Sequence, residues 1–570
     1  MRALALQIAL VLAVAVAAVL GTLGSASTAL PDDATAYAQT SLPPLPNGWP
    51  STLQLGRSDQ PNGAAALRSL APFGFRYQYL AGGVNTGHGW ATWNSDGQFV
   101  SYYIDESKAA GITPVFTYYM LLQSSPATGS NEQDKDLNNL KNTATMQAYW
   151  ADLKLFFQRA GAYPNTRVVL HVEPDLWGYI QQRASSDNAT TIEAKVGSTG
   201  VADLAGLPDN AAGFAQGIVR LRNQYAPNVL LGYHVSVWGT NVDISISDPP
   251  DDQVNSLGSR AARFYQSLGA TFDLAFGEFS DRDSAFKQIQ WGAGQEAWWD
   301  ANDFRRHALF ISRFVAETGK RMVLWQIPLG NTKMRAMNNT WDHYQDNRPE
   351  WLLDDPSRAH LDAYLQAGVI AFLFGRGADG ATDASDASGD HVTNPAPING
   401  NTQTSLSADD DGGFFNDRAK SYYTTGAITL PSGGTQSTPT PTAPVVATTT
   451  PTTTPTATPT PTPPSFSCTP RPRVSVQSVP AGGRLQVTIS ASGQGNQVQT
   501  LRFTQTANTV VDIGGQTGRT GAFTVDLPAG TTSTTFAVRR SGAGAGTVSL
   551  TVVDRCGDWP TFVGGGAGAF

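Results

Sequence analysis

The chain has 570 residues, of which 41% are hydrophobic, 10% aromatic and only 15% charged. That much apolar and aromatic surface excludes a wholly disordered chain, and at about 150 residues per domain the length accommodates several domains. Lys and Arg total 38 against 46 Asp and Glu, a net charge of −8, which argues against nucleic acid or an anionic membrane as partner, and two cysteines are too few for a disulfide-dense scaffold or a Cys-based zinc cluster.

The chain opens on Arg2 and an apolar run from Ala3 to Leu20 broken only by Gln7, followed by the small residues Gly21, Gly24, Ser25, Ala26 and Ser27. A basic start, an apolar middle and a small-residue exit predict a secretory signal within 1–38, cut after Ser27 or after Ala38. An uncleaved anchor is the alternative, because the run approaches the ~20 residues that span a bilayer.

Between about 45 and 430 the sequence alternates apolar runs with helical patterns. The runs are 53–59, 75–83, 113–120, 167–175, 229–239, 272–281, 321–330 and 369–379. Helix-like stretches lie at 145–161, 211–226, 260–269, 304–319 and 358–368. Near-continuous apolar strands alternating with amphipathic helices predict a parallel sheet covered by helices, and eight such units predict a (β/α)8 TIM barrel with enlarged loops. A doubly wound open sheet competes, but no glycine-rich phosphate turn follows the first run.

Residues 437–465 consist largely of Thr and Pro. This composition buries no core and favours an extended linker rather than a loop within a compact domain. Beyond it, 466–570 carries seven short β-type runs, among them 473–479, 484–491, 500–506, 522–527, 534–540 and 547–554, which predict an all-β sandwich of immunoglobulin-like type. Cys468 and Cys556 bracket those runs. In a secreted chain they are expected to pair, a loop closure worth about 4–5 kcal/mol in chain entropy, with two free thiols as the alternative.

In a barrel the chemistry sits at the C-terminal strand ends. The fourth run ends His171-Val172-Glu173-Pro174-Asp175 and the sixth ends Phe276-Gly277-Glu278-Phe279-Ser280-Asp281. Alternation sets His171 and Glu173 on one face, with Asp175 joining them if the strand continues past Pro174, and it sets Phe276 beside Glu278. Two carboxylates meeting over one mouth are what glycosidic cleavage requires, one giving a proton to the leaving oxygen and the other attacking or activating water. Glu173 is the expected acid/base and Glu278 its partner, with Asp175 and Asp281 in reserve. A bland reading of Glu173 is a helix cap or a partner of Arg57 or Arg76.

Tyr118, Trp177, Trp238 and Trp325 lie at or past strand ends, and Trp90 and Trp93 follow the second run; indoles there offer flat faces for sugar rings, or else pack barrel against helices. Gln326 follows Trp325. His171 and His234, on neighbouring strands, are expected to bond sugar hydroxyls or orient Glu173. A metal-dependent hydrolase built on these histidines lacks any HExxH spacing, so no metal and no cofactor are expected. The Asp-rich stretch 378–390 departs from the 12-residue calcium loop and reads first as a solvated loop.

Glu173-Pro174 after a fourth strand resembles the acid/base signature of the large retaining clan of barrel glycoside hydrolases. Glu173-Pro174-Asp175-Leu176 is similar to the Glu-Pro-Asp segment of secreted family 6 cellulases, in which the Asp is the proton donor. The retaining clan has Asn where this chain has Val172, and takes its nucleophile from a seventh strand that here ends Trp325-Gln326. The resemblance implies a secreted glycosidase of a more remote family, acting on a polysaccharide or oligosaccharide such as a β-glucan. Its partner would be carbohydrate, with no nucleic acid, no membrane after leader removal, and a monomeric state. A noncatalytic carbohydrate-binding or cell-envelope barrel is the alternative.

Overall fold

A computed structural model of the chain describes residues 42–433 and, further on, the backbone of strands between 473 and 565. The expected leader 1–38, the expected linker 437–465 and both cysteines lie outside the described residues. The described residues fall into two compact units, one on each side of the linker.

The first unit is a closed barrel of eight strands in sequence order. They are β1 (Gln54–Ser58), β2 (Phe75–Leu80), β3 (Thr113–Tyr118), β4 (Val168–Val172), β5 (Val229–Val235), β6 (Leu274–Glu278), β7 (Met322–Ile327) and β8 (Val369–Phe374). Each is parallel to the next, and β8 closes on β1 through Leu55 beside Phe372. Every expected strand is present. They read as unbroken apolar runs because both faces are covered, by barrel filling inside and helices outside.

A helix follows each strand: Ala64–Leu70, Gln98–Ala109, Thr143–Gly161, Ala211–Tyr225, Asp251–Ser267, Ala301–Thr318, Ala359–Gln366 and Phe414–Thr424. Side-chain caps fix several starts. Asn142 and Asn210 accept backbone N–H groups of the first turn, and Asp300 and Asp303 cap reciprocally. Gly319, at φ +68°, closes the Ala301–Thr318 helix in the left-handed conformation that suits glycine.

Barrel filling depends on one close approach. A side chain on Gly232 would meet the Phe276 ring at 2.3 Å, so glycine there lets Phe276 lie flat on His171, with ring centroids 4.1 Å apart. The loops after β6, β7 and β8 are tied by one buried carboxylate: Asp283 accepts from Gly330 N–H at 2.9 Å and from Thr382 N–H at 2.8 Å.

The second unit holds nine described strands in two antiparallel sheets. Five of them are Arg473–Val479, Arg484–Ser490, Thr509–Ile513, Gln516–Arg519 and Ser533–Arg540; four are Gln499–Gln505, Ala522–Leu527, Thr547–Asp554 and Gly557–Gly565. Thr509–Ile513, Gln516–Arg519 and Gly557–Gly565 were not among the runs singled out in the sequence. Among the described residues no helix is long and apolar enough to cross a membrane.

Candidate active site

The C-terminal end of the barrel carries a cluster of acids, but not in the pairing the alternation predicts. Strand β4 stops at Val172, and Pro174 begins a helix, Pro174–Arg183, in the first-turn position that tolerates proline. Glu173 between them has φ +43° and ψ 73°. This left-handed turn breaks the alternation and swings the Glu173 side chain away from the face of His171. Its carboxylate instead accepts from Met120 N–H at 3.2 Å and Leu121 N–H at 3.4 Å, and the residue is 1% exposed. Burial pushes its pKa up to about 8, while the Met120 and Leu121 amides and the Tyr149 hydroxyl pull it down. Glu173 therefore organises the turn after β3, and no hydrogen bond joins it to Glu278 among the described residues. Neither Arg57 nor Arg76 is its partner: Arg76 pairs with Asp59 and Glu106, and Arg57 donates to Ala384 O.

Asp175 lies in the first turn of Pro174–Arg183. It is partly buried and has no hydrogen-bond donor among the described residues. Burial raises its pKa well above the usual carboxylate range, and the charges of Glu132, Glu278, Asp281 and Glu173 raise it further. Burial raises the pKa of Tyr79, Tyr119 and Tyr179, and the Asp175 charge adds to the rise in each. Tyr119 donates to Glu132 Oε1 at 2.5 Å, and Tyr79 lies 5.7 Å from Trp325.

Glu278 ends β6, in register with Trp325 of β7. It too is partly buried, and burial lifts its pKa to about 8, with Asp243 and Asp281 adding to the rise and the Trp238 indole and Lys287 opposing it. His234 Nε2 lies 3.8 Å from Glu278 Oε2. The two acids thus differ in their support. Glu278 faces an indole, an imidazole and an ammonium group, whereas Asp175 faces carboxylates and phenols. In a pair that shares protons, the unsupported member keeps its proton to higher pH.

The histidines do not reach toward a ligand. His171 and His234 are fully buried in the barrel and bond each other, Nε2 to Nδ1, at 3.0 Å. Burial holds both well below the usual imidazole range, His234 at about 3. Trp325 is 2% exposed and stands edge-on to His171 at 4.7 Å, forming the floor of the mouth. Trp238 is partly exposed against Tyr179, with centroids 4.9 Å apart. Gln326 has φ +53°, and its amide runs beside Gly377, where any side chain would strike both Gln326 and the Asp281 carbonyl.

Three aromatics expected at the mouth belong to the outer wall. Tyr118 points to the helices and donates to Asp152 at 2.6 Å. Trp90 donates to the same Asp152 oxygen at 2.7 Å and packs on Phe156. Trp177 donates to Val172 O at 2.8 Å and packs on Phe214 and Tyr233. Register explains Tyr118: it pairs beside Val172 while Thr117 pairs beside inward-facing His171. Tyr79, Tyr119, Tyr179 and Glu132 were missed by sequence reasoning. Tyr79 and Tyr119 end runs that were identified, so alternation on β2 and β3 was the available signal.

Among the described residues no group of three or more His, Cys, Asp or Glu is arranged to hold a metal ion. The acids of 378–390 serve their own loop: Asp383 accepts from Ser385, Asp386 pairs with His391, and Asp390 meets His343.

No protein-family model and no curated protein matches the sequence. By fold the chain is similar to solved glycoside hydrolases. An endo-β-1,4-mannanase double mutant from Cellulomonas fimi is 10% identical, with 90% of this chain and 94% of that one covered at a TM-score of 0.38. A family 26 β-mannanase from Bacteroides ovatus is 13% identical, covering 65% of this chain and 90% of that one at 0.33. A family 6 enzyme from Orpinomyces is 14% identical, covering 60% and 84% at 0.26. The barrel itself rests on the chain's own strand pairing rather than on these likenesses.

Proposed function

We propose that the chain is a secreted glycoside hydrolase that cleaves a β-linked polysaccharide with Asp175 as proton donor and Glu278 as nucleophile or base. The observation that supports this reading is Asp175: a partly buried carboxylate at the end of the barrel where such enzymes work, with no hydrogen-bond donor among the described residues and with Glu278 among the charges that raise its pKa. An acid kept protonated by its surroundings beside one whose charge is supported is the division of labour that glycosidic cleavage uses. Trp238 and Tyr179 offer ring faces for the sugar. The similarity of Glu173-Pro174-Asp175 to the family 6 segment agrees with Asp175 as donor.

In this reading residues 1–38 export the protein, 45–430 form the catalytic domain, and 437–465 tether 466–570, an immunoglobulin-like module closed by Cys468–Cys556 that binds carbohydrate or the cell surface. The test is a panel of mannan, xylan and β-glucan with products read by anomeric configuration. Asp175→Asn and Glu278→Gln should each lower kcat by about 10²-fold or more while polysaccharide binding survives. Wild-type turnover in both variants would overturn the assignment, and binding without turnover in the wild type would favour a noncatalytic carbohydrate-binding barrel.

A further inference from the structure

Behind Glu278, three polar side chains line up through the barrel interior. Thr117 Oγ1 lies 3.4 Å from His171 Nδ1, and His171 Nε2 lies 3.0 Å from His234 Nδ1. His234 Nε2 is buried, has no hydrogen-bond partner among the described residues, and faces Glu278 Oε2 at 3.8 Å. The row draws one group from each of the adjacent strands β3, β4, β5 and β6, with Phe276 and Trp325 packed against the two imidazoles.

Two neutral imidazoles in contact share one proton, so one ring donates and the other accepts. The Thr117 hydroxyl can donate or accept, and the direction follows it. When it donates to His171 Nδ1, His171 holds its proton on Nε2 and donates to His234 Nδ1. His234 then holds its own proton on Nε2, the atom that faces Glu278. We propose that Thr117, His171 and His234 form a buried relay that presents a fixed N–H to Glu278, so that Glu278 is the ionised member of the acid pair and Asp175 the protonated one. This rests on the reading of Asp175 and Glu278 as the reacting pair. All three relay residues are positioning residues, since none reaches the mouth.

Other groups bear on Glu278 from every side. Asp243 lies after β5, Asp281 after β6, and Asp175 on the helix after β4; each disfavours a charge on Glu278. Lys287 and the Trp238 indole favour it, and His307 Nε2 meets the Glu278 backbone carbonyl at 3.1 Å. The relay adds a buried donor on the side of Oε2.

The test uses the full chain labelled with ¹⁵N-histidine, with the two ring spin systems assigned from His171→Phe and His234→Phe. Both rings should appear as neutral Nε2–H tautomers from about pH 5 to about pH 9, where an exposed imidazole would titrate. The His234 Nε2 signal should follow one titration that disappears in Glu278→Gln. Thr117→Val, which removes only the hydroxyl partner, should let the Nδ1–H tautomer of His171 appear. An Nδ1–H tautomer at His234 in the wild type, or a His234 signal indifferent to Glu278→Gln, overturns the relay. On a chromogenic polysaccharide, His234→Phe should move the acid limb of kcat/KM up by about one pH unit, and His234→Gln, which keeps an N–H near the Nε2 position, should restore it. A limb that stays in place in His234→Phe also counts against the relay. Full activity in Glu278→Gln with the spectroscopic coupling intact would sink the reacting pair and leave the relay standing; an inactive Glu278→Gln without that coupling does the reverse.

Discussion

At Glu173 a single dihedral angle redirects the site. A glutamate before proline at φ +43° occupies a conformation that costs of order 1–3 kcal/mol, and it persists because its surroundings hold it. The Glu173 N–H donates to Tyr118 O at 2.7 Å, and the carboxylate takes the Met120 and Leu121 amides. Glu173→Gln replaces one acceptor oxygen with a donor facing those amides. It is expected to lower unfolding free energy by about 1–3 kcal/mol in urea titration and to leave hydrolysis within roughly tenfold of wild type. An unchanged stability with turnover abolished would return the acid role to Glu173. The sequence made both Glu173 and Asp175 visible as acids at a strand end, but ranked them by assuming an unbroken strand. The sign of φ at one residue, which composition does not encode, sends the Glu173 carboxylate to the Met120 and Leu121 amides.

At the scale of elements, strands and helices were legible because burial on two faces leaves unbroken apolar runs and burial on one leaves a 3.6-residue period. The loops were not, because their order comes from contacts distant in sequence. Asp283 is an example: its two oxygens take one amide from the loop after β7 and one from the loop after β8, with Ser284 beside it bonded to Asp346 at 2.7 Å. Asp283→Ala leaves the Gly330 and Thr382 amides buried without an acceptor, at about 1–3 kcal/mol each. The expected result is a lower denaturation midpoint together with faster proteolytic cutting in 328–347 and 376–390. If neither changes, the carboxylate does not tie the loops. The aromatic residues teach a similar lesson. Tyr118 ends β3 and Trp90 and Trp177 follow β2 and β4, yet Asp152 and Phe214 on the covering helices claim them.

Taken as a whole, the barrel encloses many acids whose protons are held by burial. Glu173, Glu278 and Asp410 are raised to about 8, and Asp283 and Asp411 to about 7, from ordinary values near 4. Each binds its proton more tightly folded than unfolded. Their contribution to stability is therefore full below the unfolded values and is lost as pH rises through about 7 to 8. Acids with lowered values, such as Asp203 and Asp355, act only at lower pH and do not oppose this trend above about pH 5. Buried neutral His171, His234 and His307 oppose the trend only below their unfolded value near 6.5, so calorimetry at constant ionic strength should show the barrel's Tm falling from about pH 7 to about pH 9. A Tm that is flat or rises over that range would mean that these carboxyls are solvated or paired in solution.

The alternation of apolar runs with helical patterns determined the barrel from sequence alone, because strand and helix periods are local and each must bury its own face. The same local reading identified the acids at the ends of β4 and β6. Which acid faces the mouth, which indoles line it, and that His171 meets His234 across 63 residues were decided by the tertiary structure. Those relations depend on strand register, on one left-handed backbone turn and on helices packed outside the barrel, and none of these is a property of a short stretch of chain.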